Sequence, residues 1–143
     1  MPKTLLPDIN VWLAMTFDSH GHHSTAKNWF DALTDEVCFF CRLTQQGFLR
    51  LATNQKVIGA HALTLDDAWQ AYDAYLRDAR IAYAEEPANI ETQWRTFTRG
   101  QSFSTHVWND AYLAAFAIVG GHELVTFDNG FVQYQGLRPV ILP

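Results

Sequence analysis

Cysteine is scarce in this 143-residue chain, which has only Cys38 and Cys41. A disulfide framework or a four-cysteine zinc site needs a second cysteine pair, and the sequence has none. The two thiols lie in the hydrophobic run from Val37 to Cys41, which is typical of a buried strand. Because side chains three positions apart on a strand point to opposite faces, we predict that the two thiols share neither a metal nor a disulfide.

Positive charge and long apolar runs are also lacking. The formal net charge is −5, which argues against a protein that simply coats nucleic acid by electrostatic attraction. No apolar run approaches the ~20 residues that a transmembrane helix needs. The first residues lack the apolar core and cleavage site of a secretory signal peptide. We therefore expect a cytoplasmic protein with no membrane partner.

The remaining composition is that of a globular protein. Hydrophobic residues make up 48% and charged residues 17%, which predicts one folded domain over residues 1–143. Short apolar runs alternate with segments of helical periodicity. The predicted strands are Thr4–Leu6, Glu36–Cys41, Ile81–Ala84, Glu123–Phe127 and Val140–Leu142. The predicted helices are Ile9–Phe17, Thr25–Leu33, Gln45–Thr53, Thr64–Arg77, Asn89–Arg99 and Trp108–Val119.

Strands that alternate with helices predict an α/β fold, in which a parallel sheet carries helices on both faces. Polar residues placed just before a helix indicate where it begins. Thr44 is therefore expected to cap the helix that follows it, and Ser104 or Thr105 to cap the helix from Trp108.

Aspartates directly follow two of the predicted strands. Asp8 comes after the first strand and Asp128 after a late one, and ligands of parallel sheets bind beyond the carboxyl ends of the strands. Asp110 begins an otherwise apolar helix, where a carboxylate without a partner is costly to bury. A divalent ion shared by the three carboxylates would offset that cost. Hard oxygen ligands suit Mg²⁺ or Mn²⁺.

Each aspartate also has an ordinary structural explanation. Asp8 and Asp128 are of the residue type favoured in turns, and Asp110 is favoured near a helix start. Spacing alone supports the structural roles and the metal site about equally. His20, His22 and His23 lie in a polar turn with no carboxylate cluster, which disfavours a metal role for them.

Four segments occur in a fixed order: LPDINVWLA at 6–14, RLTQQGFLRL at 42–51, WNDAYLAA at 108–115 and VTFDNGF at 125–131. This ordered set resembles the PIN-domain family, and specifically its VapC-type toxins of type II toxin–antitoxin systems. The resemblance covers essentially the whole chain. It implies a three-layer α/β/α fold with a central parallel sheet of about four to five short strands.

The resemblance also implies an activity, which is that of an Mg²⁺- or Mn²⁺-dependent endoribonuclease. Asp8, Asp110 and Asp128 take the catalytic and metal-binding roles of the family. Thr126 is expected to hydrogen-bond near the metal, and Asn10 to help hold Asp8. A bound metal ion would lower the pKa of a water and stabilise charge on the phosphate.

One position departs from the family pattern. The family's glutamate usually follows a threonine, and here Thr44 is followed by Gln45. A glutamine oxygen can still ligate a metal or accept a hydrogen bond, but it brings no charge. This difference leaves open an alternative, a PIN-fold binding module with weakened catalysis. Arg42 and Arg50 flank Gln45, and each is expected either to meet the RNA backbone or to be an ordinary exposed arginine.

The expected partners follow from the resemblance as well. They are an RNA substrate, a cognate antitoxin whose tail blocks the acidic cleft, and a second copy of the chain in a homodimer. Aromatic residues at Trp12, Trp29 and Phe30 are candidates for the apolar part of the antitoxin interface or, equally, for the core. The other tryptophans and tyrosines at helical spacing are expected in the core rather than in a base-stacking platform.

A phosphoacceptor signalling domain is the main rival among other α/β proteins. Such domains usually show an acidic pair at the end of the first strand and a late lysine. This chain has only Asp8 at that position, and its last lysine is Lys56. The sequence therefore favours the nuclease.

Overall fold

Five parallel strands form the central sheet of the structure, a computed structural model that describes residues 2–143. The strands are β1 (Thr4–Pro7), β2 (Val37–Phe40), β3 (Ile81–Tyr83), β4 (Glu123–Thr126) and β5 (Pro139–Ile141). They lie side by side in the order β3-β2-β1-β4-β5. From β1 the sheet grows one way through β2 and β3 and the other way through β4 and β5. The switch point between β1 and β4 is where such sheets open a ligand crevice.

Helices cover both faces of this sheet. Within residues 2–143 they are α1 (Ile9–Thr16), α2 (His23–Asp31), α3 (Arg42–Ala52), α4 (Gln55–Ile58), α5 (Leu65–Leu76), α6 (Ile90–Phe97) and α7 (Val107–Gly120). Short 3-10 helices span Gly59–His61 and Asn129–Gln133. Helices α1, α2, α3 and α5 pack on one face, and α6 and α7 on the other. The predicted three-layer α/β/α fold is confirmed, with five strands.

The two cysteines lie on opposite faces of the sheet. Cys38 packs in the core beneath α1 and α3, whereas Cys41 packs in the core beneath α7. Both thiols are buried and free. The strand alternation therefore predicted their separation correctly.

Helix starts are where the sequence prediction and the structure differ most. Cys41, not Thr44, is the N-cap of α3. Thr44 is the third residue of that helix, and its buried Oγ1 accepts a 3.0 Å hydrogen bond from the backbone N of Cys41. The hydroxyl thus caps the helix from inside, which moves the start three residues earlier than predicted. Helix α7 begins at Val107 without a side-chain cap, so the proposed caps at Ser104 and Thr105 were also wrong.

Large aromatic side chains divide between core and surface. Trp12 is 0% exposed and Phe30 is 5% exposed, so both belong to the core and the idea that they meet a partner was wrong. Trp29 is half-buried against the same core. Trp108, by contrast, is 56% exposed and Phe103 is 98% exposed. The expectation that tryptophans at helical spacing are core residues therefore fails at Trp108 and at Trp69, which is 50% exposed.

Gly47 sets how closely α3 approaches α1. A Cβ at this position would lie 2.1 Å from Cδ1 of Ile9, far inside van der Waals contact. Glycine therefore lets the second turn of α3 lie against the side chain of Ile9, the first residue of α1, which directly follows Asp8. None of the helices in residues 2–143 combines the length and apolar character needed to cross a membrane.

Candidate metal-dependent active site

Asp8 lies at the switch point, where β1 ends and α1 begins. It is the N-cap of α1, and its Oδ1 accepts a 2.7 Å hydrogen bond from the backbone N of Ile9. Burial raises the pKa of Asp8 to about 6, although hydrogen bonds from Thr126 and Ile9 act to lower it. The charges of Asp110 and Asp128 raise this pKa further. The three predicted aspartates are therefore close enough to interact electrostatically.

Thr126 joins the ends of β1 and β4. Its hydroxyl donates a 2.9 Å hydrogen bond to Oδ2 of Asp8. The Oγ1 atom of Thr126 also accepts hydrogen bonds from the backbone N of Asp128 at 3.0 Å and from Nδ2 of Asn10 at 3.5 Å. Thr126 is completely buried. This one side chain thus fixes the orientation of Asp8 and the start of the loop that carries Asp128. Asn10 contacts Thr126 rather than Asp8, and the roles predicted for Thr126 and Asn10 at a metal stay predictions.

Asp110, on the face of the sheet that α7 covers, and Asp128, in the loop after β4, complete the acidic group. Asp110 is half-buried in the first turn of α7, and burial followed by the charge of Asp128 raises its pKa. Asp128 is exposed and caps the 3-10 helix Asn129–Gln133, since its Oδ1 accepts from the backbone N of Gly130 at 2.8 Å. Mutual repulsion among three carboxylates favours a cation between them.

Gln45 lies at the same edge of the sheet, in the first turn of α3. The side chain is 7% exposed, and its Oε1 accepts a hydrogen bond from the Arg42 guanidinium. That guanidinium also lies 5.1 Å from the centre of the Tyr83 ring. Arg42 therefore makes contacts within the protein, although both Arg42 and Arg50 are exposed residues. The role predicted for Gln45 at the metal stays a prediction.

The residues at this edge fit a hydrated divalent ion. Within residues 2–143, no three His, Cys, Asp or Glu side chains enclose a metal position. Mg²⁺ seldom needs such an enclosure, because it keeps several waters and binds one or two carboxylates together with substrate phosphates. Two buried polar atoms nearby, Oδ1 of Asn10 and the hydroxyl of Tyr134, lack a hydrogen-bond partner. Metal-bound waters are natural partners for such atoms.

Tyr134 is a site residue that the sequence did not indicate. It is 5% exposed, and burial raises its pKa, with further contributions from Asp110 and Asp128. Its place depends on how the segment after the 3-10 helix folds back onto α6 and α7, which no local pattern reveals. The turn that carries His20, His22 and His23 also lies close to the site. The ring of His22 stacks on that of Phe127, the residue before Asp128, with ring centroids 4.3 Å apart.

Replacing Thr126 with valine should reduce the expected RNA-cleaving activity at pH 7 by roughly 10- to 100-fold. This is the usual cost of losing a group that orients a metal-binding carboxylate. Valine keeps the volume but cannot donate to Asp8, so the pKa of Asp8 should rise further above about 6. The pH at which activity reaches half its maximum should then move upward. Activity–pH profiles of Thr126→Val and Thr126→Ser test this. Serine keeps the hydroxyl and should retain the wild-type profile, and an unchanged profile in the valine variant would contradict the role.

Comparison with known proteins places this site in a family. The PIN domain model matches residues 5–137. The chain therefore belongs to the PIN domain family. Ribonuclease VapC41 of Mycobacterium tuberculosis is 50% identical over 139 residues, which cover 94% of this chain and 95% of that protein. Ribonuclease VapC38 of the same organism is 30% identical over 142 residues, covering 94% of this chain and 92% of VapC38.

Solved structures share the fold at low sequence identity. VapBC2 from Rickettsia felis, bound to a DNA fragment from its promoter, matches with a TM-score of 0.72 at 13% identity and covers 98% of this chain and 99% of that one. Mycobacterium tuberculosis VapC20, a sarcin–ricin loop cleaving toxin, matches with a TM-score of 0.64 at 18% identity. The VapC20 match covers 94% of this chain and 99% of that chain. At these identities the likeness concerns the fold.

Proposed function

We propose that this chain is a metal-dependent endoribonuclease and the toxin of a toxin–antitoxin pair. The observation that carries the proposal is 50% identity to Ribonuclease VapC41 along nearly the whole length of both chains. The geometry supports it, because Asp8, Asp110 and Asp128 interact electrostatically at the switch point of a parallel sheet. The substrate class is RNA, and the bond broken is a phosphodiester.

Asp8, Asp110 and Asp128 are the residues that would hold Mg²⁺ or Mn²⁺. When bound, such an ion lowers the pKa of a water and neutralises charge that develops on the phosphate. Thr126 holds Asp8 in one orientation, so little reorganisation is needed when the substrate arrives. Because the pKa of Asp8 is about 6, its carboxylate is mostly ionised only above that pH. A proton therefore competes with the ion for this carboxylate, so at a subsaturating Mg²⁺ concentration activity should rise as the pH increases through about 6, and a higher Mg²⁺ concentration should move this rise to lower pH.

The direct test is RNA cleavage by the purified chain with Mg²⁺, with Mn²⁺ and with a chelator. We expect cleavage with either metal and none with the chelator. A folded chain that binds RNA but cleaves none under any of these conditions would favour the alternative, a PIN-fold binding module with weakened catalysis. The neutral Gln45 is the feature that motivates this alternative.

Gln45→Glu should tighten Mn²⁺ binding by about 1 kcal/mol if Gln45 faces the metal, since a fourth negative charge attracts the ion. Arg42, which already donates to this side chain, will offset part of that charge. Gln46→Glu is the matched control, because it adds the same charge at the exposed neighbouring position of α3. Calorimetry measures both affinities. Equal affinities for the two variants would place Gln45 outside the metal site.

The cognate antitoxin is the proposed protein partner, and the fold neighbours include VapBC complexes from Rickettsia felis and Salmonella typhimurium. An acidic cleft and a net charge of −5 suit a basic inhibitory segment. Expression of this chain alone should slow bacterial growth, and Asp8→Asn should remove the effect. Harmless expression of a folded, active enzyme would argue against a toxin.

A homodimer is the proposed quaternary state. Static light scattering of the purified chain at micromolar concentration should give twice the mass of the 16.3 kDa monomer. A monomeric mass under these conditions would refute the dimer and leave the enzyme proposal standing.

A further inference from the structure

A small cleft opens where the chain passes from α6 to α7. The segment 98–106 forms one wall, and the volume of the cleft is about 150 Å³. Phe97, Phe103 and Trp108 give it an aromatic lining, and Arg99 lies at its edge. Serine and threonine hydroxyls from the same segment form much of the remaining lining. The cleft therefore combines flat apolar rings with hydrogen-bonding groups.

Trp108 is held in place although it is largely exposed. Its ring contacts Trp94 edge-on, with centroids 6.2 Å apart and planes at 83°. The indole N of Trp94 donates a 3.0 Å hydrogen bond to the carbonyl oxygen of Trp108. Trp94 in turn packs against Tyr112, whose hydroxyl donates to Glu86 at 2.6 Å. These contacts hold the Trp108 ring in place before any ligand binds, which lowers the entropic cost of binding a ligand against it.

Phe103 extends into solvent from the loop, with 98% of its side chain exposed. One exposed aromatic residue is ordinary on a protein surface. Here two exposed aromatic residues, Phe103 and Trp108, line one small cleft beside the guanidinium of Arg99. This combination is uncommon in a chain of net charge −5. Within residues 2–143, Arg99, which follows the end of α6, makes no salt bridge, whereas Arg95 on α6 pairs with Glu91 at 2.8 Å. Arg99 is thus the cation available to an anionic ligand.

The cleft adjoins the acidic site. Phe97, which lines it, packs against Tyr134 with ring centroids 5.0 Å apart. Tyr134 is within electrostatic reach of Asp110 and Asp128. Trp108 and Asp110 both lie in the first turn of α7, so the cleft and the acidic group meet the same end of this helix. A strand of RNA whose phosphate reaches the carboxylates would therefore pass this cleft with a neighbouring nucleotide.

We propose that this cleft binds a nucleobase of single-stranded RNA next to the scissile phosphate, a role that rests on the proposed ribonuclease function. The base stacks on Trp108 and Phe103, and Arg99 contacts the backbone. Aromatic stacking combined with a cationic track is how proteins hold unpaired bases. A stable protein partner usually covers about 800 Å² of the surface it binds. The cleft is much smaller, and its volume of about 150 Å³ suits a single base. Its hydroxyls can pair with base edges or a 2′-hydroxyl.

Binding of a fluorescein-labelled 12-nucleotide single-stranded RNA of mixed sequence tests the proposal without cleavage, in an Asp8→Asn background. Trp108→Ala should raise the Kd roughly tenfold, the usual effect of removing one stacking partner. Phe103→Ala should act in the same direction, and its near-complete exposure makes misfolding no concern. Trp69→Ala is the matched control, because Trp69 is 50% exposed on α5, across the sheet, and should leave the Kd unchanged.

Salt dependence separates a nucleic-acid contact from any other role of this surface. Arg99→Gln should make the slope of log K against log salt shallower by about 0.7, the value for one phosphate contact on a single strand. The proposal is overturned if the parent binds no RNA, or if Trp108→Ala and Phe103→Ala leave its Kd within twofold. It is also overturned if these variants instead convert a dimer to a monomer with RNA binding unchanged.

Failure of the subsite and failure of the proposed function give different results. If the wild type cleaves RNA with Mn²⁺ and Trp108→Ala retains its kcat/KM, the enzyme proposal stands and the subsite is wrong. If RNA binding depends on Trp108 but the wild type cleaves nothing with either metal, the subsite is supported and the ribonuclease proposal fails.

Discussion

Asp110→Asn should lower ribonuclease activity by on the order of 10³-fold or more, because it would remove a negative charge from the proposed metal site. The carboxylate lies half-buried in the first turn of α7, and burial together with Asp128 already raises its pKa. The raised pKa shows that its charge is destabilised without a cation nearby. Asparagine keeps the shape of the side chain, so the loss reports on charge. Initial rates of RNA cleavage with Mg²⁺ and with Mn²⁺ measure the effect.

The matched control for this variant is Asp73→Asn, which makes the same change on the exposed surface of α5. That control should retain full activity. Circular dichroism of both variants should match the wild type, which separates a lost site from a lost fold. Full activity in Asp110→Asn would remove Asp110 from the active site.

Asp8→Asn should increase thermal stability at neutral pH in the absence of metal. An elevation of the pKa of Asp8 from 3.8 to about 6 means that ionising this carboxylate costs the folded state about 3 kcal/mol. Asparagine avoids that cost but has one acceptor oxygen, so one of the hydrogen bonds from Ile9 and Thr126 is lost, at about 1 kcal/mol. The net gain is about 2 kcal/mol, or a rise of several degrees in Tm.

The sign of this effect depends on pH. The folded protein binds a proton at Asp8 more tightly than the unfolded chain, so the contribution of Asp8 to stability falls as the pH rises from 3.8 to about 6. Above that window the full cost is present, and below it the cost is absent. The variant should therefore be more stable than the wild type at pH 7.5 and less stable at pH 3.5.

Thermal melts with a chelator at these two pH values measure the difference between Asp8→Asn and the wild type. Adding Mn²⁺ at pH 7.5 should stabilise the wild type and leave the variant unchanged, since a ligand that binds only the folded state raises its Tm. A stability difference that is the same at both pH values would show that Asp8 is not a destabilised carboxylate.

Much of the site could be predicted from the sequence because its residues follow strands directly. Asp8 and Asp128 come immediately after apolar runs, and parallel strands bring their carboxyl ends to one edge. The free, separated cysteines followed from strand alternation in the same way. These predictions need only local patterns and one rule of sheet geometry.

Features that depend on long-range packing were not predictable from local patterns. Thr44 resembles an N-cap, yet its buried hydroxyl bonds back to Cys41 and the helix begins earlier. Trp108 has the spacing of a core residue, but it lies in the first turn of α7, where its indole contacts solvent and Trp94. The Tyr134 ring packs against Phe97 and Phe131, and this packing holds the hydroxyl near Asp110 and Asp128. Each outcome depends on which residues meet across the fold.

Mapping of RNA ends in cells that express this chain tests the ribonuclease claim most directly. Expression of the wild type should produce new internal RNA ends at discrete sites, as an endonuclease does. Expression of Asp8→Asn to the same level should produce none of them, because the variant lacks the half-buried carboxylate that Thr126 orients. The same new ends in both samples, or none with the folded wild type, would contradict a ribonuclease centred on Asp8.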